Sequence, residues 1–186
     1  MKFSKTNIPD VILCEPTIFK DERGYFFESF NQEAFEKHLE KPIRFCQDNE
    51  AKSTKGVLRG LHYQLPPYAQ SKLVRVISGK VLDIAVDIRK GSATFGQYVA
   101  VELSGENKHQ LFVPAGFAHG YVVLSDEAIF SYKVDNYYHK ASERGIIFND
   151  TELQIDWKLP LNELLISEKD NIQPAFNKAD LFETNF

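Results

Sequence analysis

The sequence predicts an all-β fold, a sandwich or barrel of short strands with a few short helices in its N- and C-terminal parts. Three observations carry this. Residues 80–88 alternate cleanly, with Leu82, Ile84, Val86 and Ile88 on one face and Val81, Asp83, Ala85 and Asp87 on the other. Further strand-like runs follow at short intervals, separated by turn residues. The chain also carries 15 Phe, 8 Tyr and 1 Trp, rings that suit a pleated, half-buried surface and can form flat walls for a sugar or base.

Taken in order, residues 31–40, NQEAFEKHLE, read as a short helix capped by Asn31, with Ala34, Phe35 and Leu39 near one face. Residues 56–64, GVLRGLHYQ, read as a strand. Residues 73–77 are apolar and β-branched, and Ser78-Gly79 is a turn leading into the alternating run at 80–88. Residues 97–103 alternate again before the turn Gly105-Glu106-Asn107. Residues 110–113, 120–124 and 128–134 continue the series. Residues 161–167 read as a short helix, and residues 171–186 show no clear periodicity. With 186 residues and no repeats, low-complexity stretches or linker-like runs, a single domain spanning 1–186 is expected.

The apolar share of 43% and charged share of 26% are those of a soluble globular protein. A net charge of −4 gives no basis for binding nucleic acid or an anionic membrane. The N-terminus lacks an apolar signal core, and no stretch approaches the roughly 20 apolar residues of a membrane span. A cytoplasmic protein is expected. Cys14 and Cys46 lack metal-ligand spacing, and two free thiols fit that compartment better than a disulfide.

The chemistry concentrates in two segments. GVLRGLHYQ places His62 three residues after Arg59: a side chain suited to moving protons near neutral pH, beside one suited to holding a phosphate or carboxylate. Pro114-Ala115-Gly116-Phe117-Ala118-His119 lies between two strand runs. With the strand series, this P-x-G-x-x-H segment resembles the second half of the motif pair of cupins, small barrels of jelly-roll type. Metal-binding cupins offer H-x-H and then a glutamate in the first half. Here His62 is followed by Gln64, and Lys72 stands where a carboxylate ligand would lie. A lysine is electrostatically wrong beside a divalent cation, and two histidines are too few ligands, so no metal is expected. His62, His119, Arg59 and Lys72 are poor barrel filling, because buried cations are costly unless paired; as a group they point to an anion site.

Over roughly residues 3–175 the sequence resembles the dTDP-4-dehydrorhamnose 3,5-epimerase family. The anchors are DERGYFFESF at 21–30, QDN at 47–49, GVLRGLHYQ at 56–64, KLVRVISGKVLDIAVDIRKGSATFG at 72–96, FVPAGFAHGY at 112–121 and YKVDNYYHKASERGI at 132–146. The resemblance implies a cupin-type jelly-roll homodimer with neither metal nor cofactor. Its partner is a dTDP-4-keto-6-deoxy sugar nucleotide, inverted at C3 and C5 to dTDP-4-dehydro-β-L-rhamnose on the route to dTDP-L-rhamnose and bacterial surface polysaccharides such as O-antigen. In the family dimer, N-terminal residues contribute to the neighbouring subunit's site. One departure is visible: the family commonly has a serine and an arginine just after the QDN-like stretch, where this chain has Ala51 and Lys52.

The resemblance also implies roles. Epimerisation beside a ketone needs a base on one face, an acid on the other, and a cation or donor near the carbonyl oxygen where enolate charge develops. His62 matches the base, oriented by Asp170 in the SEKD segment at 167–170, and Tyr132 matches the acid. Lys72 is the candidate for the enolate oxygen and for the cation assisting Tyr132. Arg23, Arg59 and Lys169 resemble diphosphate ligands. Gln47, Asp48 and Asn49 match a substrate-contacting stretch, Glu28 a thymine-reading position, and Tyr138 a ring that stacks on the base. His119 lies near the sugar, and Glu143 belongs to the same binding set. A 3-only or 5-only epimerase, a 3,4-ketoisomerase on the same scaffold, and a non-catalytic sugar-nucleotide-binding module are the competing readings.

Overall fold

Two β-sheets packed face to face build the molecule, as seen in a computed structural model that describes residues 1–183. Residues 184–186 of the aperiodic tail lie outside them. The strands in chain order are β1 (Lys2–Lys5), β2 (Ile12–Glu15), β3 (Phe19–Asp21), β4 (Gly24–Phe26), β5 (Gln47–Thr54), β6 (Val57–Gln64), β7 (Lys72–Ser78), β8 (Lys80–Asp87), β9 (Tyr98–Ser104), β10 (Gln110–Val113), β11 (Phe117–Val123), β12 (Glu127–Val134), β13 (Glu143–Gly145) and β14 (Leu165–Ile166). The helices are α1 (Gln32–Leu39) and α2 (Glu168–Asn171). One sheet runs β1-β2-β10-β7-β12-β5. The other runs β13-β6-β11-β8-β9, with β14 added parallel to β6. β3 and β4 form a separate exposed hairpin. This is the all-β sandwich that the strand series predicts, in the cupin-like jelly-roll form that the resemblance implies.

Side-chain alternation divides the interior into layers. Val74 and Val76 of β7, Leu111 and Val113 of β10 and Phe130 of β12 point between the sheets. They meet Val81 and Ala85 of β8, Val99 and Leu103 of β9, and Phe117, Tyr121 and Val123 of β11. The opposite face of β8, with Leu82, Ile84 and Val86, packs under Phe148, Trp157, Phe176 and Phe182 from the C-terminal segment. β8 is therefore buried on both faces, and the face bearing Asp83 is the inner one. Burying a large apolar side chain contributes about 1.5–3 kcal/mol, so both layers matter to stability. A third cluster covers the outside of the first sheet. There Phe35 of α1 packs with Ile12, Cys14, Ile43, Leu73 and Phe112.

Helix α1 forms where expected. Asn31 Oδ1 accepts from the Ala34 N–H at 3.0 Å, and Glu40 in the left-handed region ends the helix. Residues 161–167 depart from expectation. Leu161–Glu163 is a single 3₁₀ turn, and Leu165–Ile166 is a strand. The Leu165 N–H donates to the Gly56 carbonyl at 2.8 Å, so pairing alongside β6 overrides the local helical pattern. β5 carries no apolar alternation in QDNEAKST because its inward positions, Gln47, Asn49, Ala51 and Ser53, are polar or small. The described part of the tail is tied down mainly by tertiary contact: Phe176 and Phe182 are buried, and Phe182 bridges to Arg89.

Candidate active site

A one-residue bulge sets the geometry of the site. Across β6 and β11, His62 pairs with His119 and Arg59 with Tyr121, so three steps on β6 oppose two on β11. Strict alternation would send Arg59 and His62 to opposite faces. The bulge turns both inward, while Leu58 and Leu61 both join the outer apolar layer. Glycine is required at the bulge. Gly60 has φ of 139°, and a Cβ there would lie 2.5 Å from the Gly120 Cα on the neighbouring strand.

Both residues open on a cavity of about 490 Å³. β6 and β11 supply Arg59, His62 and His119 on one side; β7 and β12 of the facing sheet supply Lys72 and Tyr132. Asp170, the third residue of the single-turn α2, reaches the cavity just after β14.

His62 Nε2 donates to Asp170 Oδ1 at 2.6 Å. Asp170 is 3% exposed, and Ser167 caps its helix by accepting the Asp170 N–H at 3.1 Å. Burial alone would raise the Asp170 carboxyl. The hydrogen bond and charge of His62 outweigh it and hold Asp170 below the usual carboxylate range. A second pair lies deeper: His119 Nε2 stands 3.0 Å from both oxygens of Asp83. Burial pushes the His119 imidazole down against the pull of Asp83, which favours its neutral form.

Lys72 lies between the two pairs, its ammonium donating to the His62 carbonyl at 3.5 Å. Burial pushes Lys72 down to about 8, although Asp83 and Glu143 pull it back up. Burial raises the Tyr132 phenol, and Arg59 only partly opposes this. The cation acting on Tyr132 is thus Arg59 rather than the expected Lys72, and the net effect keeps the phenol protonated. Arg59 Nε and Nη2 each donate to Ser53 Oγ at 3.2 Å. Among the described residues neither Arg59 nor Lys72 forms an ion pair with a carboxylate, leaving two cations free to meet an anion.

At the rim, Lys169 pairs with Glu143 at 2.6 Å, and the Tyr138 hydroxyl donates to Glu143 Oε2 at 3.0 Å. Gln47 Nε2 donates to Asn49 Oδ1 at 2.7 Å on the inner face of β5, where Asn49 is the strand partner of Tyr132. Asp48 lies on the other face of β5, bonded to Lys133 at 2.9 Å. Lys52 is also turned outward, paired with Glu127, while Ala51 lines the cavity. Arg23 sits in the exposed β3–β4 hairpin against Asp21, and Glu28 is exposed. The structure therefore brings His62, Tyr132, Asp170, Arg59, Lys72, His119 and Lys169 together, with Glu143 and Tyr138 at the edge. It does not bring Arg23, Glu28 or Asp48 to this cavity, and Gln47 and Asn49, although on the inner face of β5, do not line it.

Asp83 and Ser53 escaped the sequence reading as site residues. A signal for Asp83 existed, since a carboxylate shares the inner β8 face with Val81 and Ala85 and needs a partner there. Ser53 in a polar strand had none. The donor set does not suit a divalent metal, because a lysine stands beside the two histidines. Among the described residues no three His, Cys, Asp or Glu side chains converge as a metal site.

The family model described as dTDP-4-dehydrorhamnose 3,5-epimerase matches residues 5–178. A dTDP-4-dehydrorhamnose 3,5-epimerase from Shigella flexneri is 57% identical over 182 residues, covering 98% of this chain and 99% of that protein. The crystal structure of the Legionella pneumophila dTDP-6-deoxy-D-glucose-3,5-epimerase, in complex with dTDP-4-keto-L-rhamnose, is similar with a TM-score of 0.95 and 48% identity over 100% of this chain and 99% of that one. A 3'-monoepimerase from Streptomyces bikiniensis, in complex with dTDP-quinovose, is similar with a TM-score of 0.87 and 32% identity over 93% and 87% of the two chains.

Proposed function

The chain belongs to the dTDP-4-dehydrorhamnose 3,5-epimerase family, and on that premise we propose a two-sided proton transfer that inverts C3 and C5 of dTDP-4-keto-6-deoxyglucose to give dTDP-4-dehydro-β-L-rhamnose. The observation that carries the mechanism is the pairing of His62 on one sheet with Tyr132 on the facing sheet across a single cavity.

His62 is the base. Asp170 holds its Nε2–H, which leaves Nδ1 as the nitrogen that takes the C3 and later the C5 proton. Asp170 also stabilises the imidazolium that results, since it stays ionised. Loss of each proton places enolate charge on the C4 oxygen, and Lys72, protonated at neutral pH, supplies the compensating cation. Tyr132, held as a phenol, returns a proton from the opposite side and so inverts the centre. His119, kept neutral against Asp83, is a hydrogen-bonding contact for the sugar rather than a charge. Arg59 and Lys169 hold the diphosphate, and Tyr138 stacks on the thymine, with Glu143 fixing both at the rim.

Gln47 and Asn49 extend the polar wall beside Tyr132. Arg23, Glu28 and Asp48 complete the nucleotide site between two copies of the chain, so the working unit is a cytoplasmic homodimer. The test is product identification by NMR after incubation with dTDP-4-keto-6-deoxyglucose. Inversion at both C3 and C5 is expected. Inversion at one centre would make this a mono-epimerase, and a migrated carbonyl would make it a 3,4-ketoisomerase.

A further inference from the structure

Gln64 stands two residues beyond His62, at the position where metal-binding cupins place a second histidine. Its side chain does something else. Nε2 donates to the Tyr137 carbonyl at 3.1 Å and to the Tyr68 carbonyl at 2.6 Å, and Oε1 accepts from the His139 N–H at 2.7 Å. The Tyr137 carbonyl and the His139 N–H belong to the two peptide units on either side of Tyr138. One carboxamide therefore grips the backbone both before and after the residue proposed to stack on the base.

We propose that Gln64 is a positioning residue for nucleotide recognition, fixing the Tyr138 ring relative to the strand that carries His62. This rests on the reading of Tyr138 as the thymine-stacking ring. Three features support it. Gln64 is 4% exposed with its amide in use at both ends, so the grip lies in a dry environment where hydrogen bonds hold geometry well. Tyr138 itself is 57% exposed and has no core packing to orient it; beyond its hydroxyl bond to Glu143, its backbone decides where the ring stands. The third bond, to Tyr68, ties in a second loop. The Tyr68 ring stacks on His139 at 3.9 Å between centroids, and His139 Nδ1 lies 2.9 Å from Ser142 Oγ. The clamp also shares its strand with the base, since Gln64 pairs with Glu143 and His62 with Gly145 across β6 and β13. Glutamine suits the task because it supplies two donors and an acceptor without charge; glutamate would turn an anion toward two carbonyls.

The test combines steady-state kinetics with calorimetric titration of dTDP on the full-length protein. Gln64→Met keeps the length of the side chain and removes all three bonds. It should weaken dTDP binding about tenfold and raise KM similarly, with kcat within about threefold of the wild-type value. Gln64→Glu keeps the His139 bond, loses both donors, and should weaken dTDP at least as much. In a Tyr138→Ala background, Gln64→Met should add little, because the ring it positions is gone. Wild-type dTDP affinity in Gln64→Met or Gln64→Glu would overturn the inference, as would a fall in kcat with KM unchanged or a full additional loss in the double variant. Should Gln64→Met fail to fold, Gln64→Glu decides alone. Failure of the underlying reading looks different: Tyr138→Ala would then itself bind dTDP like the wild type, and the role given to Gln64 would fall with it.

Discussion

Replacing Asp170 by asparagine removes one charge from a buried site and little else. In the wild type, proton abstraction converts His62 into an imidazolium 2.6 Å from the Asp170 carboxylate. A hydrogen bond of this kind to a charged group is worth about 1.5–3 kcal/mol, which corresponds to a factor of roughly 10 to 150 in rate. The His62 side chain is 30% exposed, so water screens part of the interaction and the lower part of that range applies. Asp170→Asn should therefore lower kcat about 10- to 40-fold, with KM changed much less, because the carboxylate faces the base rather than the nucleotide. The assay is initial-rate measurement of dTDP-4-keto-6-deoxyglucose conversion, with circular dichroism confirming that the variant is folded. Turnover within about threefold of the wild type in a folded Asp170→Asn protein would refute the claim that Asp170 stabilises the protonated base.

His62→Ala and Tyr132→Phe should each lose at least roughly 100-fold in kcat, in line with general acid–base contributions; wild-type turnover in either variant removes that residue from the mechanism. Lys72 predicts an alkaline limit. Its pKa is pushed down to about 8, so its charge, and with it the stabilisation of the enolate, is lost as pH rises through that value. Lys72→Arg stays protonated, and whatever activity it retains should show no rate loss in a pH–rate profile until about pH 10 or above. Gly60→Ala places a methyl 2.5 Å from the Gly120 Cα at a φ of 139°, and it should destabilise the fold by about 2–5 kcal/mol in urea unfolding. An unchanged midpoint would mean that β6 and β11 can separate without cost.

Much of the architecture was legible because burial leaves a period in the sequence. β8 alternates and so was found, even though both its faces are covered, one by the facing sheet and one by Trp157 and its neighbours. β5 left no such trace, since its inward positions, Gln47, Asn49, Ala51 and Ser53, are polar or small and leave no apolar period to read. The segment at 161–167 misled for a related reason: two residues paired beside β6 are too few to imprint a pattern. In the site, GVLRGLHYQ announced His62 and Arg59, but alternation alone would have placed them on opposite faces, and only the bulge at Gly60 brings them together. Asp170 lies 108 residues from His62, and nothing local in SEKD marks it as a buried partner rather than a solvated helix end. The resemblance to the family supplied that pairing. The Asp83–His119 pair and the Ser53 contact of Arg59 became visible only in three dimensions.

In the proposed mechanism one base and one acid, on facing walls of one cavity, exchange protons at two carbons. The most direct measurement is incubation of the wild-type protein with dTDP-4-keto-6-deoxyglucose in D₂O, with deuterium located in the product by NMR. Inverted product labelled at both C3 and C5 is expected, since each reprotonation draws on an exchangeable acid. Inverted product labelled at only one of these carbons, or at neither, would contradict that mechanism.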